Sequence, residues 1–178
     1  MFDYTHSDLY GEQRGIFHDL ENVGPYELAT MSFGQRFNIT PLQLITALSC
    51  VANEGVLMKP NIIKEIRNPN NGSVTKIKPE RVRQVISKQT AETLMDMSEY
   101  VVTNGTGASA KVSGYTVGGK SGTTEPLKGS NTGYIASFVG FAPVENTDVV
   151  VLVILYNPKG GFHQGGQVAR TCSFKNIK

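Results

Sequence analysis

The sequence has little excess charge and no long hydrophobic run. Its 178 residues carry 17 Lys and Arg against 15 Asp and Glu, a net charge of +2, and the basic residues do not cluster strongly. This balance gives no case for a nucleic acid or an anionic membrane as a partner. The longest apolar run, Val149–Tyr156, is far shorter than the ~20 residues of a membrane helix. The polar start, Met1 to His6, predicts no signal peptide, so the chain as given is expected to be soluble where it is made.

Cysteine and histidine are equally scarce. Cys50 and Cys172 are far apart and show no C-x-x-C spacing, which favours two unpaired thiols over a disulfide, although sequence alone does not place them in space. His6, His18 and His163 show no metal-ligand spacing, so we expect no metal site. Nothing in the sequence calls for a cofactor.

The composition is that of an ordinary globular protein. Hydrophobic residues make up 39% of the chain and charged residues 18%, which permits a buried core and argues against disorder. The length predicts one domain, or most of one.

Two helices are marked by strong start signals. Thr40, Pro41 and Gln43 form an N-cap, a first-turn proline and a capping box, and they predict a helix over 41–54. Ser87 is a second N-cap, and the 3.6-residue apolar period after it predicts a helix over 88–103.

Strand patterns fill much of the remaining chain and predict an α+β fold. The run 149–156 is apolar almost throughout, as a central strand buried on both faces would be. The other predicted elements are a hairpin of strands 61–67 and 74–78 around an Asn-Gly turn, a strand over 134–141, and a short helix within 165–178.

The segment Gly114–Thr123, GYTVGGKSGT, fits two motifs with different chemistry. Gly114 to Ser121 matches G-x-x-x-x-G-K-[ST], the phosphate-binding P-loop. A P-loop needs a buried strand before it and a helix after it. Here a loop without an apolar run precedes Gly114, and Gly122 and Pro126 follow where the helix would be. The flanks disfavour a nucleotide-binding protein.

The same segment also contains K-S-G, an element of penicillin-binding proteins and serine β-lactamases. On a strand, Ser121 and Thr123 share one side, and Lys120 supplies positive charge for a substrate carboxylate. Glycines 118, 119 and 122 weaken a strand unless something must approach its backbone closely. A peptide-like ligand lying along the strand edge would need that access.

Further stretches extend this resemblance over nearly the whole chain. They are Leu9–Glu12, Ala29–Gln35, Asn38–Leu44, Ala52–Gly55, Gly118–Thr124, Phe138–Pro143 and Gly165–Ala169. In this order and spacing the chain resembles the C-terminal part of the transpeptidase domain of class B penicillin-binding proteins, closest to the stage V sporulation type. Arg170–Cys172 departs from the family pattern.

The resemblance implies a fold, a reaction and a set of site residues. The fold is the penicillin-binding protein transpeptidase fold, of which this chain would contribute about three antiparallel strands packed with helices. The reaction is nucleophilic acyl transfer between peptidoglycan stem peptides ending in D-Ala-D-Ala, which β-lactams inhibit. The implied catalytic residues are Lys120, Ser121, Gly122 and Thr123, and the implied substrate-binding residues are Gly119, Lys120, Ser121, Thr123 and Thr124. The Thr123 amide would form part of the oxyanion hole.

Two of the family's three active-site motifs are absent from the sequence. There is no S-x-N triplet, and the one S-x-x-K, Ser73 to Lys76, falls in the predicted hairpin, where it cannot place the amine beside the hydroxyl. We therefore expect residues 1–178 to be the C-terminal portion of the domain without the nucleophile-bearing half, and to be inactive alone. The parent protein is expected to be anchored in the cytoplasmic membrane with this domain on the outer face.

Other outcomes remain open from the sequence. A fragment with surface normally covered by an absent half is expected to self-associate or swap elements. The chain could instead be a non-catalytic module that binds stem peptides or β-lactams reversibly.

Overall fold

The computed structural model describes residues 4–124, 133–159 and 164–168, so the predictions on Cys172, His163 and the tail beyond 168 lie outside the described residues. The chain forms two compact units. The first comprises Met1–Cys50 and Val56–Val85, and the second comprises Val51–Gly55 and Ile86–Lys178.

Two helices lie in the first part of the chain, α1 (Pro25–Met31) and α2 (Pro41–Ala52). The predicted capping box starts α2: the Thr40 amide donates to Gln43 Oε1 at 2.9 Å, and the Gln43 amide donates to Thr40 Oγ1 at 3.1 Å. The helix ends two residues before the predicted end and is followed by Gly55 at a φ of 79°, a backbone conformation that favours glycine.

Four short strands form two antiparallel ribbons in the first unit. β1 (Val56–Met58) pairs with β4 (Arg81–Gln84), and β2 (Glu65–Arg67) pairs with β3 (Val74–Lys76). The second ribbon confirms the predicted hairpin. The first was not predicted, because runs of three or four residues are too short to show a period.

β2 is shorter than predicted because the segment before it bonds elsewhere. The Asp8 carboxylate accepts hydrogen bonds from the amides of Ile62 and Ile63, at 2.9 and 2.7 Å. These two donors also hold the pKa of Asp8 below its ordinary value. The amides of Ile62 and Ile63 are therefore bonded to a distant side chain and not to β3.

The second unit contains the long helix α3 (Lys88–Thr103), which matches the predicted bounds. Ser87 caps it, since its hydroxyl accepts from the Thr90 amide at 3.1 Å. α3 buries Ala91, Met95 and Val102 along one face.

An antiparallel sheet of three strands, in the order β5-β6-β7, forms the rest of the second unit. The strands are β5 (Gly118–Thr124), β6 (Ile135–Ala142) and β7 (Val149–Tyr156), and a short helix α4 (Gly165–Val168) follows them. Phe138 of β6 belongs to a core that also includes Val102, Ala110 and Val117.

Among the described residues, 149–156 is not the central strand that its hydrophobicity predicted. There β6 lies in the middle, where Ala136, Phe138 and Phe141 are fully buried, and β7 pairs with β6 alone. Tyr156 at the end of β7 is 68% exposed. Hydrophobicity shows how strongly a strand avoids water, but it does not show which strand has two neighbours.

Candidate functional site

The predicted site residues lie on β5, the opposite edge of the sheet from β7. In the antiparallel register with β6, Lys120 stands opposite Val139, Ser121 opposite Phe138 and Thr123 opposite Ala136. Among the described residues no strand pairs with the other side of β5. The backbone of this edge is therefore available to an extended ligand.

The glycines of β5 are explained first by packing inside the sheet. A Cβ on Gly119 would lie 2.5 Å from Cζ of Phe138, and one on Gly118 would lie 2.5 Å from Cε2 of Phe141. Both glycines are buried. The phenyl rings of Phe138 and Phe141 therefore occupy the space beside these two glycines. No ligand is needed to explain why glycine stands at both positions.

The two hydroxyls of the motif share one face of β5, as predicted from strand alternation. Ser121 is half-buried and Thr123 is exposed. Thr123 Oγ1 accepts a hydrogen bond from the amide of Gly165, the first residue of α4, at 2.9 Å. A Cβ on Gly165 would overlap the carbonyl oxygens of Gly122 and Ser137, so only glycine lets α4 start against the strand here.

Lys120 lies on the other face of the strand and is exposed. Its Nζ donates a hydrogen bond to the carbonyl oxygen of Ser121 at 2.7 Å, so the ammonium lies against the next residue of the motif. It makes no ion pair with any residue in the described part of the chain. Its charge is therefore open to an anionic ligand at this edge.

Thr116, two residues before β5, makes two hydrogen bonds that were not predicted. The hydroxyl of Thr116 donates to the carboxylate of Glu145 and accepts from the amide of Val144, the latter at 3.0 Å. The hydrogen bond from Thr116 holds the pKa of Glu145 below its ordinary value. It joins residues 29 apart in the sequence, so no local pattern reveals it.

The geometry of β5 contradicts the P-loop interpretation. Lys120 and Ser121 continue a strand that runs on to Thr124, where a P-loop would begin a helix. The same holds for the S-x-x-K match: Lys76 ends strand β3 and Ser73 directly precedes it. Residues three apart on a strand point to opposite faces, so this lysine cannot activate that serine.

The chain matches a known protein family over nearly its whole length. The model of the penicillin binding protein transpeptidase domain matches residues 2–177 of this chain. The chain belongs to the penicillin-binding protein transpeptidase family. Within this family it belongs to the class B members, as its similarity to the following proteins shows.

Stage V sporulation protein D of Bacillus subtilis is 44% identical over 93% of this chain. The apo transpeptidase domain of Burkholderia pseudomallei penicillin-binding protein 3 superposes with a TM-score of 0.80 at 34% identity, over 96% of this chain. Penicillin-binding protein 3 of Mycobacterium tuberculosis, solved in complex with ampicillin, gives a TM-score of 0.79 at 31% identity over 89% of this chain.

This chain spans only part of each of these family members. It covers 26% of the Bacillus protein, 50% of the Burkholderia structure and 37% of the Mycobacterium structure. None of the helices in the described ranges combines the length and hydrophobicity that a bilayer crossing requires.

Proposed function

We propose that this chain is part of a peptidoglycan D,D-transpeptidase of cell-wall or spore-cortex synthesis and carries its substrate-docking strand. The observation that supports this most directly is β5 itself: it carries Lys120, Ser121 and Thr123, and no other described strand pairs with its outer side. The name of the Bacillus relative favours a role in sporulation.

On this proposal the ligand is a stem peptide ending in D-Ala-D-Ala, or a β-lactam. The hydroxyls of Ser121 and Thr123, on one face of β5, bind the ligand carboxylate by charge-assisted hydrogen bonds, and the Lys120 ammonium on the other face adds positive charge at the same edge. The ligand backbone pairs with the edge of β5. The Gly122 and Thr123 segment then presents the Thr123 amide to the carbonyl oxygen that becomes negative during acyl transfer.

The acyl transfer itself needs a nucleophile that these residues do not supply. In the reaction a serine attacks the D-Ala-D-Ala peptide bond, D-alanine leaves, and the amine of a second stem peptide takes the acyl group from the serine. The 178 residues contain no S-x-N, and their S-x-x-K lies in an exposed hairpin. We therefore propose that the chain alone orients a ligand without reacting with it.

Intact-mass measurement after incubation with ampicillin tests the absence of a nucleophile. We expect the unmodified mass of the chain at every incubation time. One equivalent of added ampicillin mass, lost on mutation of a single serine, would overturn this part of the proposal.

Ligand-observed NMR with ampicillin tests docking independently of acylation. We expect weak, saturable binding that Thr123→Val reduces several-fold and that the matched variant Thr75→Val leaves unchanged, because both threonines are exposed on strands but only Thr123 lies on β5. Equal binding by both variants would contradict docking at β5.

The same measurements separate the second candidate, a module whose own role is reversible binding. If the chain is such a module, its affinity for a D-Ala-D-Ala peptide should not change when the nucleophile-bearing half of the domain is added. If the chain is part of a transpeptidase, adding that half should increase the affinity.

We further propose that the whole protein acts on the outer face of the cytoplasmic membrane.

We also propose that this chain alone self-associates through β7. This strand has eight residues and contains no charged residue, Pro or Gly, and its outer side has no partner among the described residues. Unprotected apolar edges of this kind pair with other strands.

A further inference from the structure

The two glycines that begin α4 have different surroundings. Gly165 is buried, and a Cβ on it would lie 2.0 Å from the carbonyl oxygen of Gly122, so packing requires glycine there. Gly166 is only half-buried. A Cβ on Gly166 would lie 3.3 Å from the carbonyl oxygen of Thr106, 3.6 Å from Cβ of Thr106 and 3.9 Å from Cβ of Ser121. A small shift of one carbonyl group would therefore accommodate a side chain at this position.

The backbone does not explain the glycine at position 166 either. The φ of Gly166 lies outside the left-handed region, so any L-residue could adopt the same conformation. Glycine also disfavours a helix relative to alanine, because it loses more backbone freedom on folding. A residue that breaks a local rule without a packing reason is typical of a functional site.

The missing side chain leaves a space above the Cα of Gly166, between Thr106 and Ser121, here called the notch. Both of its sides are held in place. Ser121 lies on the paired strand β5. Thr106 lies in the turn after α3, where the amides of Gly105 and Gly107 both donate to one carbonyl oxygen of the helix, at 3.1 and 2.9 Å. The width of the notch is therefore set by the fold.

We propose that Gly166 is a specificity-determining residue, and that the notch receives the side chain of the ligand residue whose carboxylate Ser121 and Thr123 bind. The inference rests on the proposed function. In the last residue of a stem peptide the carboxylate and the side chain are bonded to the same carbon, so a carboxylate on the Ser121 hydroxyl brings that side chain close to the notch. The methyl group of D-alanine can pack on the bare Cα of Gly166, whereas a Cβ at this position would hold it away.

Ligand-observed NMR with three peptides that differ only in the last residue tests the inference. We expect the chain to bind a peptide ending in D-alanine about fourfold more tightly than one ending in glycine, which is the gain from burying one methyl group. A peptide ending in D-leucine should bind about tenfold more weakly than the D-alanine peptide, because the fixed sides of the notch do not accommodate the larger group.

The variant Gly166→Ala should remove the preference for D-alanine over glycine and change the affinity for the glycine peptide less than about twofold. The matched control is Gly24→Ala, which also adds a methyl group at the start of a helix. A Cβ there would meet only the carboxylate of Glu27, at 3.0 Å, so this variant should keep the preference of the unmodified chain. Circular dichroism checks that both variants keep the original spectrum.

The outcomes separate this inference from the proposed function. Equal binding of all three peptides by the unmodified chain, or a Gly166→Ala variant that keeps the preference for D-alanine, would overturn the inference while docking at β5 stands. If neither the peptides nor ampicillin bind, docking at β5 is itself wrong, and the inference fails with it.

Discussion

The two edges of the three-stranded sheet have opposite chemistry although both flank β6. β5 carries three glycines, three hydroxyls and one lysine, whereas all eight residues of β7 are apolar or tyrosine. Each edge has an unpaired side among the described residues. The same backbone geometry therefore supports two different uses, because a polar edge can hold a ligand reversibly while an apolar edge favours lasting association with another strand.

Disrupting the packing of β6 should have the largest effect on stability, because both edge strands pair with it. Phe138 of β6 is fully buried, so Phe138→Ala should lower the free energy of unfolding by about 3–5 kcal/mol. Urea denaturation measures the loss. Tyr100→Ala is the control, since Tyr100 is 64% exposed, and it should cost less than about 0.5 kcal/mol. Similar losses for both variants would show that β6 is not the core of this sheet.

Placing one charge on each edge tests their difference directly. Leu152→Lys puts a cation in the middle of β7, where it opposes strand pairing, and should shift the chain toward monomer in sedimentation velocity. Thr124→Lys adds the same charge to β5 and should leave the distribution unchanged. A wild-type chain that is already monomeric would contradict the proposed association through β7.

The smallest expected effect on stability concerns the hydrogen bond from Thr116 to Glu145. Because the hydrogen bond from Thr116 lowers the pKa of Glu145, it stabilises the fold above the ordinary pKa of 4.5, and this stability is lost as the pH falls through the lowered value. Thr116→Val should therefore reduce the difference in urea midpoint between pH 7 and pH 3, by a small amount because Glu145 is fully exposed. If Thr116→Val and Glu145→Gln both leave the pH dependence of the urea midpoint unchanged, the hydrogen bond contributes nothing to stability.

Local signals explain which parts of the fold were predictable. The starts of α2 and α3 depend on side chains within three residues of the helix, Thr40 with Gln43 and Ser87 with Thr90, so the sequence contains all that is needed. The strand character of Lys120 to Thr123 was predicted because the flanking glycines exclude a helix. These predictions are confirmed.

Long-range contacts explain what was not predictable. The order of β6 and β7 depends on which strand meets β5, and the contact of Thr123 with Gly165 joins residues 42 apart. The glycine pair Gly165-Gly166 was the one available signal for that contact, because two glycines at a helix start indicate close approach to another backbone. The roles of Lys120, Ser121 and Thr123 in binding stay predictions.

The hydrogen bond between Gly165 and Thr123 also connects two distant parts of the chain. Because the Gly165 N–H uses only one lone pair of the Thr123 oxygen, the hydroxyl still has its own proton to donate and a second lone pair to accept with. The start of α4 is thereby joined to a strand 42 residues earlier, so a change at Gly165 would alter the surroundings of a hydroxyl far from it in sequence.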